Sequence, residues 1–118
     1  MPHDVAEQSE GSKVLLSKLS QAAWKPVSEG VYFAGLHASG KNAGTGFFKW
    51  DEGAYSGTHH HPGGEEVYVI SGKLRVGDLT LEEGDFLYTP PGETHDVTAL
   101  TEAVALIALP GGIQFVDA

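Results

Sequence analysis

The stretch from Gly53 to Gly72, G-A-Y-S-G-T-H-H-H-P-G-G-E-E-V-Y-V-I-S-G, decides the fold that we predict for this chain. Side chains of a β-strand alternate with a period of two, so His59 and His61 are expected on one face and His60 on the other. The P-G-G segment at residues 62–64 favours a turn. The pattern therefore predicts two strands joined by a tight turn, with two imidazoles on one face of the first strand.

The second strand is predicted to begin with a carboxylate, Glu65, and the same alternation places Val67 and Val69 on its face. Two imidazoles and one carboxylate converging from two adjacent strands form a donor set that suits divalent iron and neighbouring metals. A fourth donor comes from a second stretch, G-D-F-L-Y-T-P-P-G-E-T-H, which runs from residue 84 to 95. Its double proline forces a loop, so we expect His95 at the start of a new strand.

These two stretches resemble the two sequence motifs of the cupin superfamily. The first motif, G-x5-H-x-H-x3-E-x6-G, is matched at positions 53, 59, 61, 65 and 72. The second, G-x5-P-x-G-x2-H-x3-N, is matched at positions 84, 90, 92 and 95, whereas Ala99 stands where the motif has an Asn that is not a ligand. The amino-acid sequences of both stretches, together with A-W-K-P upstream, are most similar to the ChrR-like branch of the cupins. The resemblance covers residues 24–112.

The resemblance implies an all-β fold, the double-stranded β-helix or cupin jelly-roll β-barrel. It also implies that one divalent metal ion (Fe, Mn, Ni or Zn) is held by His59, His61, Glu65 and His95. Alternation places Glu66 outside, so Glu65 is the expected ligand. A small-molecule ligand in the barrel and a homodimer are further expectations from the resemblance.

Two functions are compatible with these four donors. On an octahedral ion they leave two adjacent positions free, which suits an iron(II)-type dioxygenase acting on a diketone or a hydroxyaryl ketone. On tetrahedral zinc they close the coordination shell, which suits a non-catalytic regulatory or sensor cupin with a structural zinc. An epimerase or isomerase of phosphorylated or nucleotide sugars is disfavoured, because the chain offers few cationic side chains. No catalytic residue beyond the metal ligands is predicted.

The composition of the chain limits which partners and which cellular compartment we expect. The 118 residues suit one domain, and we expect a disordered tail over residues 1–12 and a single cupin domain over 13–118. The net charge is −9, so the sequence does not predict the basic surface that nucleic-acid binding requires. No apolar run approaches the ~20 residues of a membrane span, and the first residues do not read as a signal peptide. The chain has no Cys, which fits a reducing cytoplasm.

The remaining segments predict short strands with Gly and Pro turns. Residues 14–24 carry apolar residues at near-helical spacing, but their K-V-L-L-S part also reads as a strand, and the pattern leaves both open. Strands are predicted at 31–37, 46–50, 103–109 and 113–115, with a two-residue hairpin turn at 77–78. The segment 35–42 nearly spells a phosphate-binding loop, but Asn42 lacks the required hydroxyl, so a plain connecting loop is expected. Core packing is the expected role of most aromatic side chains, namely Phe48, Trp50, Tyr55, Phe86, Tyr88 and Phe115.

Overall fold

The computed structural model describes residues 11–41 and 43–115, and within these ranges it is built almost entirely of strands. A single 3-10 turn, Leu19–Gln21, precedes them. The strands are β1 (Lys25–Ser28), β2 (Val31–Gly40), β3 (Ala43–Trp50), β4 (Tyr55–His60), β5 (Glu65–Ser71), β6 (Leu74–Val76), β7 (Leu79–Leu81), β8 (Phe86–Thr89), β9 (Thr94–Ala99), β10 (Ala103–Leu109) and β11 (Gln114–Phe115). The prediction of an all-β jelly-roll barrel is confirmed. Of the predicted tail, residues 1–10 lie outside the described residues.

The strands form two antiparallel sheets. The six-stranded sheet has the order β1-β2-β3-β10-β5-β8, and the five-stranded sheet has the order β11-β4-β9-β6-β7. The strand predicted at residues 103–109 forms β10 with these same bounds and lies inside the larger sheet, between β3 and β5. Its side chains alternate between buried and half-buried, which fits the continuous apolar run in its sequence.

The core lies between the inner faces of the two sheets. The larger sheet contributes Trp50 and Ile107, the smaller sheet contributes Leu74 and Leu81, and all four side chains belong to one buried cluster. Burial in β6 alternates, with Leu74 and Val76 inside and Arg75 exposed. Apolar area removed from water in this layer, at roughly 25 cal/mol per Å², is the main contribution that holds the two sheets together.

The chain changes sheets between β4 and β5. These strands follow each other in sequence, but β4 lies in the five-stranded sheet and β5 in the six-stranded one. The expectation of two adjacent strands is therefore wrong in one respect, because they face each other across the barrel rather than pair. The connecting turn is closed by a hydrogen bond from the Gly64 amide to the His61 carbonyl, 2.9 Å long. Side chains from the two strands can consequently meet inside the barrel.

Other segments depart from the expectations in detail. Residues 14–24 form neither the helix nor the strand that the sequence left open, apart from the 3-10 turn and a single bridge residue, Leu16. Residues 35–40 belong to β2 instead of a plain loop, because β2 continues to Gly40 and pairs with β3. The predicted turn at 77–78 is confirmed, and it joins β6 to β7.

Candidate metal centre

His59 and His95 lie directly opposite each other on the neighbouring strands β4 and β9. Their rings are edge-to-face, with 4.8 Å between the centroids. The pairing of β4 with β9 shifts between Ser56 and His59, where β4 advances by one residue more than β9 does. This irregularity directs the carbonyl oxygen of Gly57 to His59, whose Nδ1 lies 2.7 Å away. The prediction that His95 stands near the start of a new strand is confirmed, since it is the second residue of β9.

His61 follows directly after β4 and is buried, with 2% of its surface exposed. Its ring centroid lies 4.9 Å from that of His59 and 5.5 Å from that of His95. His60, between the two buried histidines, is only partly buried and belongs to none of these ring contacts. The predicted alternation of the three consecutive histidines is therefore confirmed by burial.

Glu65 reaches the histidine cluster from the opposite sheet. Its Oε2 lies 3.1 Å from Nε2 of His61, and its Oε1 lies 3.4 Å from Nε2 of His95. The residue is 6% exposed, whereas its neighbour Glu66 is exposed to solvent. The inward direction of Glu65 follows from the strict alternation of β5, in which Val67 and Val69 are buried on the same face.

Two ring nitrogens of this cluster, one on His61 and one on His95, are buried without a hydrogen bond. The three candidate ligand atoms of His59, His61 and His95 lie within 4.8 Å of one another. Nε2 of His61 and Nε2 of His95 are buried and make no hydrogen bond, although the Glu65 carboxylate is close to both. Buried polar atoms are nearly always satisfied, so two orphaned nitrogens beside a carboxylate are the arrangement expected of a metal site. The residues present therefore fit a divalent ion.

Backbone carbonyls select the tautomer of two of the imidazoles. A carbonyl oxygen can only accept a hydrogen bond, so Nδ1 of His59 donates to Gly57. Nδ1 of His61 lies 3.3 Å from the carbonyl oxygen of Gly112, which accepts a hydrogen bond when the ring proton is on Nδ1. In the neutral ring the lone pair then lies on Nε2, which is the atom that faces the other donors. Both rings are thus prepared to ligate through Nε2.

Burial favours the neutral form of two of the imidazoles. It lowers the pKa of His59 below the usual 6.5; the hydrogen bond to the Gly57 carbonyl opposes this shift, the two neighbouring histidines add to it, and Glu65 opposes it weakly. Burial also lowers the pKa of His95, against an opposing effect of the Glu65 carboxylate. Only a neutral imidazole can bind a metal. Both pKa shifts therefore keep the metal-binding form of these rings populated at lower pH.

A cavity of about 320 Å³ adjoins the donors, and His59, His61 and Glu65 form part of its wall. The other described residues of the wall are apolar except for Ser28 and Ser56, and none of them is a Lys or an Arg. Its full apolar lining is Val27, Val31, Phe33, Phe48, Trp50, Val67, Leu74, Val76, Val97, Ile107, Leu109 and Ile113. The volume lies at the lower end of small-molecule sites, so a small and largely apolar molecule fits best.

Sequence reasoning missed part of this site and misplaced several aromatic residues. Phe33, which alternation alone could have directed inward, lines the cavity beside Phe48, with 5.1 Å between the ring centroids. The carbonyls that face the histidines carry no side-chain signal and could not have been found. Three aromatic residues expected in the core are exposed instead, because they lie on outer faces: Tyr55, Phe86 and Tyr88. The side chain of Phe115 lies outside the described residues.

Comparison with solved structures places the fold among the cupins. A candidate acetylacetone dioxygenase from Methylibium petroleiphilum PM1 superposes with a TM-score of 0.78 at 20% identity, covering 94% of this chain and 86% of that one. An acetylacetone dioxygenase from Acinetobacter johnsonii gives 0.74 at 20% identity, covering 99% and 85%. The complex of Rhodobacter sphaeroides SigE with the anti-sigma ChrR gives 0.68 at 23% identity, covering 78% and 50%. At such identities the likeness concerns the fold alone.

A curated relative matches only a part of the chain. The DNA damage-repair/toleration protein DRT102 of Arabidopsis thaliana is 36% identical over 55 residues, which are 42% of this chain and 18% of that protein. Within the part of the chain that the structure describes, no helix has the length and apolar character needed to cross a membrane. The family match extends much further, because residues 12–112 fit the ChrR Cupin-like domain. The chain belongs to this family of ChrR-like cupin domains.

Proposed function

We propose that this protein is a metal-dependent dioxygenase whose metal ion is held by His59, His61, Glu65 and His95. The observation that carries the proposal is the position of three of these donors, His59, His61 and Glu65, at the wall of an apolar cavity. A bound iron(II) would supply Lewis acidity and the chemistry of dioxygen. The imidazoles and the carboxylate would hold it, and the apolar wall would exclude water from the reacting molecule.

The cavity also indicates the class of substrate. Among the residues that the structure describes, its wall carries Ser28 and Ser56 as polar groups outside the donor set and no Lys or Arg that could bind a phosphate or nucleotide. A small molecule with two oxygens at one end and apolar groups at the other matches this distribution, as a β-diketone or a hydroxyaryl ketone does. The two similar solved structures that bear the name acetylacetone dioxygenase support the same choice.

The second candidate is a non-catalytic regulatory or sensor cupin with a structural zinc. It is favoured by the family match and by the burial of three of the four proposed donors, Glu65, His59 and His61, since four protein donors would close a tetrahedral zinc site. The complex of SigE with ChrR shows that a similar domain occurs in an anti-sigma protein. A structural zinc leaves the adjoining cavity without a role, and for this reason we place this candidate second.

The ligand assignment predicts different results for two adjacent carboxylates. Glu65→Gln removes a buried charge from the donor set, so metal affinity should fall by at least ~10-fold. Glu66→Gln changes an exposed side chain and should leave the affinity unchanged. Isothermal titration of the metal-free proteins with cobalt(II) compares the two. A larger loss in Glu66→Gln than in Glu65→Gln would reject the assignment.

Metal affinity should decrease in acid, because protons compete with the metal for the imidazoles. Since the pKa values of His59 and His95 are lowered in the folded protein, most of this decrease should occur below the usual value of 6.5. Cobalt(II) titrations between pH 8 and pH 5 measure the profile, and His60→Gln should reproduce it because His60 lies outside the cluster. An affinity that stays constant over this range would mean that the donors are not histidines.

The dioxygenase assignment predicts oxygen consumption by the iron(II)-loaded protein in the presence of a β-diketone or a hydroxyaryl ketone. One dioxygen should be consumed per substrate molecule, and His61→Ala should abolish the reaction. His60→Gln, outside the donor set, is the matched control. An oxygen electrode measures uptake across a panel of such compounds. Silence across the panel, with zinc co-purifying at one ion per chain, would favour the sensor instead.

A homodimer completes the proposal. Residues 11–30 contain no buried residue, and Val14, Leu16 and Val27 are 71%, 48% and 55% exposed. A second copy could cover these side chains, so light scattering should give twice the mass of one chain. Val14→Ser combined with Leu16→Ser should shift the protein toward monomer. Leu79→Ser, at an exposed position of the β6–β7 hairpin, should not. A monomer at every concentration would contradict the dimer.

A further inference from the structure

Two P-G-G turns pack against each other next to the candidate metal centre. The first, Pro62 to Gly64, follows His61, and the second, Pro110 to Gly112, follows Leu109. They are built alike, because the Gly64 amide donates to the His61 carbonyl over 2.9 Å and the Gly112 amide donates to the Leu109 carbonyl over 3.1 Å. The last glycine of each has a positive φ, 82° for Gly64 and 83° for Gly112. Both turns thus share the closing hydrogen bond and a last glycine with positive φ, and each follows the end of a strand, β4 or β10.

The middle glycines of the two turns pack backbone against backbone. A Cβ on Gly63 would lie 2.5 Å from the amide nitrogen of Gly111 and 2.8 Å from its Cα. A Cβ on Gly111 would lie 2.4 Å from the amide nitrogen of Gly63 and 2.7 Å from its Cα. Neither residue has a positive φ, so space alone requires a glycine at both positions. The two turns can approach this closely only without side chains.

This contact determines what His61 meets on the side away from the donors. The first turn carries the ligand candidate, and the second turn carries the Gly112 carbonyl that lies 3.3 Å from Nδ1 of His61. Moving the turns apart would remove the acceptor from Nδ1. The carboxylate of Glu65, 3.1 Å from Nε2, would then compete for the ring proton without opposition. A proton on Nε2 would occupy the position that a metal requires.

We propose that the two contacting P-G-G turns position the Gly112 carbonyl so that His61 is held as the Nδ1-protonated tautomer. The Gly112 carbonyl is the acting group, and the contact between Gly63 and Gly111 keeps it in place. The benefit for metal binding rests on the proposed metal centre, whereas the tautomer is a property of the metal-free protein. The two claims can therefore fail separately.

The test separates positioning from simple packing. Gly111→Ala and Gly63→Ala each introduce the Cβ that the contact excludes. Gly40→Ala is the matched control, because its Cβ would meet only the Cβ of Ala43 at 3.8 Å and its φ is not positive. Nitrogen-15 spectra of the metal-free proteins at pH 8 report which nitrogen of His61 carries the proton. Cobalt(II) affinity is measured on the same samples.

Wild type and Gly40→Ala should show His61 protonated on Nδ1 and equal cobalt affinity. Gly111→Ala and Gly63→Ala should shift the proton toward Nε2 and lower the affinity by 10- to 100-fold, the range typical of groups that orient a metal ligand. The double variant should lose little more than either single variant, since one contact is broken in all three.

A folded Gly111→Ala with the wild-type tautomer would overturn the proposal, since the glycines would then serve packing alone. If the variants do not fold, wild type still decides, because His61 protonated on Nε2 in that protein would overturn it as well. If the wild-type protein carries the proton on Nδ1 of His61 but binds no cobalt, the proposal about the tautomer is kept. The proposed metal centre is then rejected.

Discussion

The structure depends on how four ionisable side chains are buried together. Burying such groups costs on the order of several kcal/mol each unless charge or hydrogen bonds compensate. The protein compensates only in part. Carbonyl groups satisfy Nδ1 of His59 and His61, yet Nε2 of His61 and His95 are left without hydrogen bonds beside the Glu65 carboxylate. A divalent ion would satisfy both nitrogens and the carboxylate at once, which is the physical basis of the proposed metal centre.

The fold brings these groups together through strand pairing and through one change of sheet. Direct pairing of β4 with β9 places His59 against His95, and the crossing of the chain after β4 brings Glu65 in from the opposite sheet. Strand pairing limits lateral movement, and the apolar layer limits separation of the sheets. Movement of the donors would therefore require disruption of the core, which is the rigid support that a metal site needs.

Sequence predicted the local features well and the long-range ones less well. Alternation correctly separated Glu65 from Glu66 and His60 from its neighbours, because the period of a strand is fixed by its backbone. The same rule could not tell that β4 and β5 lie in different sheets, since that depends on which strands pair. Nor could the rule predict that the Gly112 carbonyl lies next to His61. The two residues are 51 positions apart, and every residue type has a backbone carbonyl, so the sequence pattern carries no sign of this contact.

The cavity is what distinguishes the two proposed functions physically. A structural zinc needs four donors but no cavity beside them. The side chains that line an apolar cavity lose dispersion contacts that a packed core would provide. Here Phe33, Phe48 and Trp50 leave space beside the donors rather than fill it. Such a volume costs stability unless a ligand uses it, and its wall offers an apolar ligand no charge other than that of the metal centre. A small molecule whose oxygens face the donors would fill the cavity and bind the metal at the same time. The proposed dioxygenase therefore explains both the donors and the cavity, whereas the sensor explains only the donors.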